Sequence, residues 1–205
     1  MTRKGRFRVR LLWLLIALAI CVGGVYGGWR YLRWRHDEDI EARLNRLAPT
    51  IWKYAQANSL PPEFVREVIR AESGGLEHAQ SSKNAKGLMQ LTPIAIEEVR
   101  RKKGIPEGDP FDADYNIRVG TAYLRILMTQ FDGDAWLALA AYSMGPTRLR
   151  EARQTNPALS GREIVEKVAP AATVHYCRAI LRGKEVHLPS RRRLTTEGTE
   201  NTEGR

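Results

Sequence analysis

Residues 71–93 constrain the fold of this chain more than any other part of its sequence. A helical segment with apolar spacing ends near Glu72, and Gly74 and Gly75 follow it directly. A polar loop rich in Gly, Ser and Asn then leads into the run GLMQ at residues 87–90. An acid at the end of an apolar helix, beside a loop that folds back over it, is suited to general-acid chemistry. We therefore expect a fold that brings a helix end and a loop together around one carboxyl group.

Apolar periodicity and local start and stop signals predict a helical chain without regular strands. Ser160 and Glu163 have the spacing of a capping box, and a short irregular strand within 74–90 is compatible with the sequence. The expected fold class is all-α, or α+β at most. The predicted helices cover residues 37–57, with Pro49 as a kink or a break, and residues 62–73, 93–102, 116–131, 134–144 and 171–182.

The formal net charge of +10 resembles that of a nucleic-acid-binding protein, but its distribution argues against that class. Residues 1–36 contain eight Lys and Arg side chains and no acid, and the segment 191–205 carries a small further excess of Arg. The rest of the chain is left with a net charge of about +1, which is too little for a basic binding face. The sequence therefore predicts no nucleic-acid partner.

The apolar, uncharged run at residues 11–29 is the length of a membrane span. Nineteen residues of helix extend about 28 Å, close to the thickness of a bilayer core. The run follows five basic residues, and acids appear soon after it at residues 37–39. This asymmetry predicts a cytoplasmic N-terminus and an exported domain on a single-pass inner-membrane protein.

Two other interpretations of the same run stay open. The triplet Ala17, Leu18 and Ala19 fits a signal-peptidase site, which would make the run a cleaved signal. Cys21 is preceded by a weak lipoprotein-like sequence, in which Ile20 is bulkier than such sites prefer.

Four motifs, in order along the chain, resemble those of a known enzyme family. They are Glu72 with Ser73, the run GLMQ at 87–90, the run AYSMG at 141–145, and a late tyrosine, Tyr176. Together they resemble the catalytic domain of lytic transglycosylases of the soluble type, which have a lysozyme-like fold and cleave peptidoglycan glycan strands. The resemblance extends from about residue 62 to residue 181 and implies a compact multi-helix lysozyme-like domain.

The resemblance implies a mechanism that uses one carboxylate and no cofactor or metal. Glu72 would protonate the oxygen between N-acetylmuramic acid and N-acetylglucosamine. It would then deprotonate the C6 hydroxyl that closes a 1,6-anhydro ring. A lysozyme-type hydrolase usually needs a second carboxylate. The possible second acids, none of which lies in a motif, are Glu77, Asp109, Asp112 and Asp114.

The same resemblance assigns substrate-binding roles around Glu72. Ser73 is expected to orient the acid or the acetamido group of the sugar, with a helix-end hydroxyl as the alternative. Gly87 allows a close backbone approach. The remaining residues expected to line the cleft are Met89, with core packing as the alternative, Gln90, Tyr142, Ser143 and Tyr176.

Two positions depart from the family pattern. Ser143 and Met144 stand where the family has Asn and Ala, and Ala172 precedes Thr173 where the family often has Glu. A serine hydroxyl reaches less far than an amide and lacks its two donors. The alternatives to a transglycosylase are a goose-type lysozyme-like hydrolase, which is also compatible with Glu72, and a peptidoglycan-binding module with low turnover, which Ser143 makes plausible.

Cysteine and histidine placement gives no sign of a metal site. Cys21 lies in the apolar run and Cys177 in a predicted helix, so a disulfide between them is disfavoured and Cys177 is expected to be a small buried residue. The four histidines are scattered along the chain.

The sequence predicts five segments. They are a basic cytoplasmic segment at 1–10, a transmembrane anchor or signal at 11–29, a stalk helix at 30–57, a catalytic domain at 58–188 and a disordered tail at 189–205.

Overall fold

The structure, a computed structural model, describes the backbone of residues 3–182 and the side chains of residues 24–28, 30–33 and 35–182. The predicted tail at 189–205 lies outside the described residues, and so does the end of the predicted catalytic domain. Most side chains of the predicted membrane segment 11–29 also lie outside them. Among the residues that were searched, no helix combines the length and the apolar character needed to cross a membrane.

The described backbone is helical, and no regular strand occurs within it. It divides into two compact units, Met1–Arg43 and Leu44–Arg205. The first unit contains the N-terminal part of the first helix. The helices are α1 (Arg3–Ala57), α2 (Pro62–Ser73), α3 (Pro93–Lys103), α4 (Ala113–Gln130), α5 (Ala135–Met144), α6 (Thr147–Thr155), α7 (Gly161–Val168) and α8 (Ala171–Leu181).

The helix α4 lies at the centre of the second unit. Its sequence is apolar or small on almost every face, so that nearly all residues from Asn116 to Met128 are buried. A helix that is apolar all round must be surrounded by other elements. Helices α3 and α5 pack on α4, and α5 in turn packs on α7 and α8. The buried surface of α4 therefore extends beyond one apolar stripe.

The C-terminal part of α1 belongs to the second unit. Leu44, Leu47, Ile51 and Tyr54 are all buried there, and the Tyr54 hydroxyl donates to the Asp114 carboxylate on α4 (2.5 Å). These contacts flank Pro49, which lies inside the helix and does not end it. A proline within a helix costs about 3 kcal/mol. Burial of the apolar side chains on both sides of Pro49 offsets this cost. Of the two predicted alternatives, a kink or a break, the break does not occur.

Local capping signals set most helix ends where the sequence predicts them. Thr92 accepts a hydrogen bond from Ala95 N at the start of α3, and Asp134 accepts one from Leu137 N at the start of α5. Ser160 and Glu163 form the predicted capping box at the start of α7. These signals are confirmed because each depends only on residues within one helical turn.

Two parts of the helical pattern differ from the sequence prediction. The helix α4 begins at Ala113, three residues early, because Asp112 caps it through Tyr115 N (2.8 Å). The helix α6 was not predicted, since only Leu149 and Ala152 in its charged sequence are buried. Isolated antiparallel bridges join Gln80 to Lys86 and Lys86 to Leu91 in the loop where a short irregular strand was compatible with the sequence.

Candidate active site

Glu72 lies in the last turn of α2, directly before the helix ends at Gly74 in a left-handed conformation. The hydroxyl of Tyr176, on α8, donates a hydrogen bond of 2.6 Å to Oε1 of Glu72. Burial raises the pKa of Glu72 to about 7, while the hydrogen bond from Tyr176 acts to lower it. Burial is the larger effect, since a desolvated carboxylate loses more than one hydrogen bond returns. Glu72 can therefore hold or release a proton near neutral pH.

A second tyrosine, Tyr142, comes from the last turns of α5. Its hydroxyl donates to the carbonyl oxygen of Met89 (2.7 Å), and its ring lies 5.4 Å from the ring of Tyr123 on α4. Burial, and then the charge of Glu72, raise the pKa values of Tyr142 and Tyr176 well above the usual 10. Both phenols therefore remain protonated donors beside the acid.

Ser73 connects the helix end to the GLMQ loop. Its hydroxyl lies 2.7 Å from the carbonyl oxygen of Leu88 and 3.3 Å from that of Ile69, and it accepts from Gly75 N (3.1 Å). The hydrogen bonds described for this hydroxyl thus go to backbone groups. This arrangement fits a positioning role better than a direct contact with the substrate.

Gly87 occupies a position that no other residue could fill without a shift of its neighbours. Its φ is +75°, and a Cβ there would lie 2.2 Å from Nδ2 of Asn116 and 2.3 Å from the carbonyl oxygen of Pro110. The side chain of Gln90 holds the same turn, because its Nε2 donates to the carbonyl oxygens of Ala79 (3.1 Å) and Gly87 (2.9 Å). The side-chain nitrogen of Gln90 is therefore hydrogen-bonded within the loop.

Met89 is fully buried, and its sulfur packs against Gly120 on α4. A side chain with no exposed surface cannot contact a sugar in this conformation. The prediction that Met89 lines the cleft is thus corrected in favour of the alternative, core packing. What Met89 presents to the site is its backbone carbonyl, which accepts from Tyr142.

Asn116 is the residue that the sequence prediction missed. It is fully buried on α4. Its Oδ1 accepts from Met89 N (2.8 Å), and its Nδ2 donates to the carbonyl oxygens of Lys86 (3.0 Å) and Pro110 (2.6 Å). A single amide thus fixes the GLMQ loop and the 104–112 loop together. An asparagine on the buried face of a predicted helix was the available signal, because buried polar groups need partners.

Ser143 is exposed, and its hydroxyl lies 3.4 Å from that of the buried Thr173 on α8. The departing Ser143 thus lies next to Thr173, the residue that follows the second departure, Ala172.

Three of the four possible second acids are engaged in other roles. Asp109 Oδ1 accepts from Phe111 N (2.9 Å) in a turn, and Asp112 caps α4. Asp114 accepts from Tyr54 and pairs with Lys53 (3.1 Å). Glu77 is exposed in the loop after α2.

Cys177 is buried, as expected, and its pKa is raised to about 12 by burial. Within the part of the chain that the structure describes, no group of three His, Cys, Asp or Glu side chains could hold a metal ion.

The arrangement of a helix-end glutamate, a buried GLMQ loop and two tyrosines can be compared with known proteins. The transglycosylase SLT domain matches residues 49–165 of the chain. The chain belongs to this family. The match begins within α1, consistent with a compact unit that starts at Leu44.

Relatives of this SLT-domain protein include named lytic transglycosylases. Membrane-bound lytic murein transglycosylase F from Desulfosudis oleivorans is 37% identical over 126 residues, which are 58% of this chain and 26% of the relative. The soluble lytic murein transglycosylase of Escherichia coli K12 is 30% identical over 102 residues, 48% of this chain and 16% of the relative. The chain thus spans about a quarter or less of the length of these relatives.

Solved structures support the same fold. An inactive glutamate-to-glutamine mutant of lytic transglycosylase Slt from Pseudomonas aeruginosa matches with a TM-score of 0.61 and 33% identity, over 65% of this chain and 22% of that one. A 70-kDa soluble lytic transglycosylase in complex with bulgecin A matches with a TM-score of 0.61 over 80% of this chain and 31% of that one. At 22% identity, the second match is informative for the fold alone.

Proposed function

We propose that this SLT-domain protein is a peptidoglycan lytic transglycosylase. It cleaves the β-1,4 bond between N-acetylmuramic acid and N-acetylglucosamine and leaves a 1,6-anhydro ring on the muramic acid. One observation carries the proposal, namely the part-buried carboxyl group of Glu72, which Tyr176 contacts and whose pKa is raised to about 7. A group with this pKa can donate a proton in one step and accept one in the next.

The reaction has two steps at Glu72. In the first, the protonated carboxyl donates its proton to the bridging oxygen, the C1–O bond breaks, and the acetamido group of the muramoyl residue stabilises the developing positive charge. In the second, the carboxylate removes the proton from the C6 hydroxyl, whose oxygen forms a bond to C1. Glu72 ends protonated again, and no water is consumed.

The tyrosines support both steps. Tyr176 donates to Oε1, so it stabilises the carboxylate between the two steps and leaves Oε2 for the sugar. We assign contacts with the substrate to Tyr142 and Ser143. Positioning of the loop at residues 87–90 is assigned to Ser73, Gly87 and Gln90. An inactive glutamate-to-glutamine mutant of a 33% identical relative is consistent with dependence on one acid.

The main alternative is a goose-type lysozyme-like hydrolase, in which water opens the intermediate. This reaction is disfavoured because Asp109, Asp112 and Asp114 serve turns, a helix cap and an ion pair. A binding module with low turnover is the other alternative. The chemical state of the product separates all three, because only a transglycosylase releases anhydro ends.

Substitution of Glu72 tests the proposal. We expect Glu72→Gln to lower the rate at least about a hundredfold, since the amide keeps the size of the side chain but has no proton to transfer. Mass spectrometry of digested sacculi should find anhydro-muropeptides with the unsubstituted protein and almost none with the variant. Glu77→Gln, a nearby exposed acid, is the matched control and should stay active. Release of reducing-end products instead would favour the hydrolase, and equal activity of the Glu72→Gln variant would exclude the assignment.

We also propose a single-pass location in the bacterial inner membrane with the catalytic domain outside. The uncharged run at 11–29, its preceding basic residues, and the membrane-bound name of one relative support this location. A reporter that is active only after export, fused after Leu188, should be active. Activity of a cytoplasm-specific reporter at the same position would contradict the location.

A further inference from the structure

One face of α4 approaches first the GLMQ loop and then a tyrosine of the candidate active site. Asn116, Gly120 and Tyr123 are separated by four and three residues, so they lie on the same side of the helix. Asn116 accepts from Met89 N, and Gly120 packs against the Met89 sulfur. One turn further along, the ring of Tyr123 lies 5.4 Å from the ring of Tyr142. Tyr123 is therefore held against the site by the same helix face that fixes the loop.

The hydroxyl of Tyr123 is available to a ligand. The residue as a whole is only 8% exposed, because its ring packs inside the domain. Its hydroxyl forms no hydrogen bond within the described part of the chain, yet it keeps access to solvent. The hydroxyl of Tyr115, on the same helix, also lacks a partner among the described residues but is sealed from solvent. Of the two phenols, Tyr123 is thus the one that can meet a bound molecule.

A carboxylate on α3 faces the same tyrosine. Helix α3 packs on α4, and the side chain of Glu98 is 21% exposed. Its Oε1 accepts from Nζ of Lys102, one turn later on α3 (2.7 Å). Its other oxygen, Oε2, accepts no hydrogen bond from the residues that the structure describes. Glu98 therefore has a fixed position and one acceptor oxygen that the protein does not use.

The charges that act on the two tyrosines show where this pair lies. Burial, and then the charge of Glu98, raise the pKa of Tyr123, whereas for Tyr142 the charge that follows burial is that of Glu72. Coulombic effects weaken with distance. Tyr142 is therefore the tyrosine nearer the acid, and Tyr123 is the one nearer α3. With its raised pKa, the phenol of Tyr123 stays protonated and can donate.

We propose that Tyr123 and Glu98 together bind one hydroxyl group of a sugar in the glycan strand, an inference that rests on the proposed function. Tyr123 donates to the oxygen of the sugar hydroxyl, and that hydroxyl donates to Oε2 of Glu98. A hydroxyl group can accept and donate at once, which an ether or ester oxygen cannot. Neither side chain exchanges a proton with the scissile bond. The pair is a binding position beside Tyr142 and has no part in the acid chemistry of Glu72.

Binding is measured with the full-length Glu72→Gln protein, so that the strand stays intact. The probe is a stem-free glycan chain of alternating N-acetylglucosamine and N-acetylmuramic acid. Tyr123→Phe removes only the hydroxyl, and its matched control is Tyr115→Phe, at the hydroxyl that is sealed from solvent. Glu98→Gln removes the charge and half of the acceptor capacity. Its matched control is Glu97→Gln, at an exposed acid that is also ion-paired on the same helix.

Tyr123→Phe and Glu98→Gln should each weaken binding about three- to tenfold, the effect of one hydrogen bond. The two controls should bind like the parent protein. The double variant should bind little worse than either single variant, because both side chains contact the same hydroxyl. The melting temperature of Tyr123→Phe should stay unchanged, since no hydrogen bond within the protein is lost. Unchanged affinity in either single variant, or losses that multiply in the double variant, would overturn the proposal.

The active protein separates this binding role from a role in the chemistry. With Glu72 unsubstituted, Tyr123→Phe should raise KM, change kcat little and leave the pH at which activity falls where it was. A lower kcat at unchanged KM, or a shifted pH profile, would show that the hydroxyl acts on the acid and would overturn the binding role. Release of reducing-end products in place of anhydro products would contradict the proposed function alone, because the binding position is measured without cleavage.

Discussion

The hydrogen bond between Tyr176 and Glu72 opposes the effect of burial on the pKa of the Glu72 carboxyl group. Burial raises the pKa of Glu72 to about 7, and the donated hydrogen bond opposes that rise because it favours the carboxylate. In the proposed mechanism, the first chemical step needs the protonated acid. Activity of the free enzyme should therefore fall as the pH rises through the pKa of Glu72.

Removal of the tyrosine hydroxyl should move this limb of the pH profile. Without the donor in Tyr176→Phe, the carboxylate is less stable, so the pKa of Glu72 rises and the loss of kcat/KM shifts to higher pH. Tyr115→Phe is the matched control, since the buried Tyr115 hydroxyl has no hydrogen-bond partner in the described part of the chain. A Tyr176→Phe profile that is lowered equally at every pH would show that the tyrosine only packs.

At the residue scale, the motifs predicted which side chains lie together but not the contacts that the neighbouring loop makes. Glu72, Tyr142 and Tyr176 converge as expected, because the resemblance places them in one cleft. The contacts of Ser73 and Met89 could not be read from spacing. Both contacts depend on the path of a loop that folds back from residues 87–90, which is set by tertiary packing.

At the element scale, the loop that carries residues 87–90 depends on α4 for its position. Asn116 satisfies one backbone donor and two backbone acceptors that lie between six and thirty residues away along the chain. No local pattern predicts such a contact. The helix ends at Thr92, Asp134 and Ser160 were predictable for the opposite reason, because a cap and its partner lie within one turn.

Substitution of the buried amide should therefore disturb both stability and activity. Asn116→Ala leaves the Met89 N–H and two carbonyl groups without their partner, and unmet buried groups cost about 1–3 kcal/mol each, less where water can enter. We expect the substitution to lower the free energy of unfolding by about 2–4 kcal/mol. It should also lower kcat more than the Glu77→Gln substitution does. Denaturant unfolding and glycan-cleavage rates measure the two effects.

The matched control for this substitution is Asn156→Ala at the end of α6. Asn156 also makes several hydrogen bonds, to Ala152, Thr155 and Lys167, but it is partly exposed and water can replace its partners. The Asn156→Ala substitution should lower the free energy of unfolding by less than about 1 kcal/mol and leave activity unchanged. Equal losses in the two variants would show that Asn116 has no special role in the loop.

At the scale of the whole molecule, the stalk and the catalytic domain share one helix. The sequence predicts a stalk helix that docks onto the domain, with apolar side chains that recur at Leu44, Leu47, Ile51 and Tyr54. The second compact unit begins at Leu44, and these side chains are buried in it. Periodicity identified the side chains as apolar, but individual partners such as Asp114 on α4 follow only from the tertiary structure.

Two truncated proteins distinguish these boundaries. A protein that starts at residue 40 retains Leu44, Leu47, Ile51 and Tyr54, all of which are buried. A protein that starts at residue 58 loses all four. Burial of each large apolar side chain contributes about 1.5–3 kcal/mol. The summed loss is therefore comparable to the total unfolding free energy of a typical domain, about 5–15 kcal/mol. We expect the first protein to melt cooperatively and the second to lack a cooperative transition. If instead the shorter protein melted within a few degrees of the longer one, α1 would be a detachable stalk, and the catalytic domain would begin at α2.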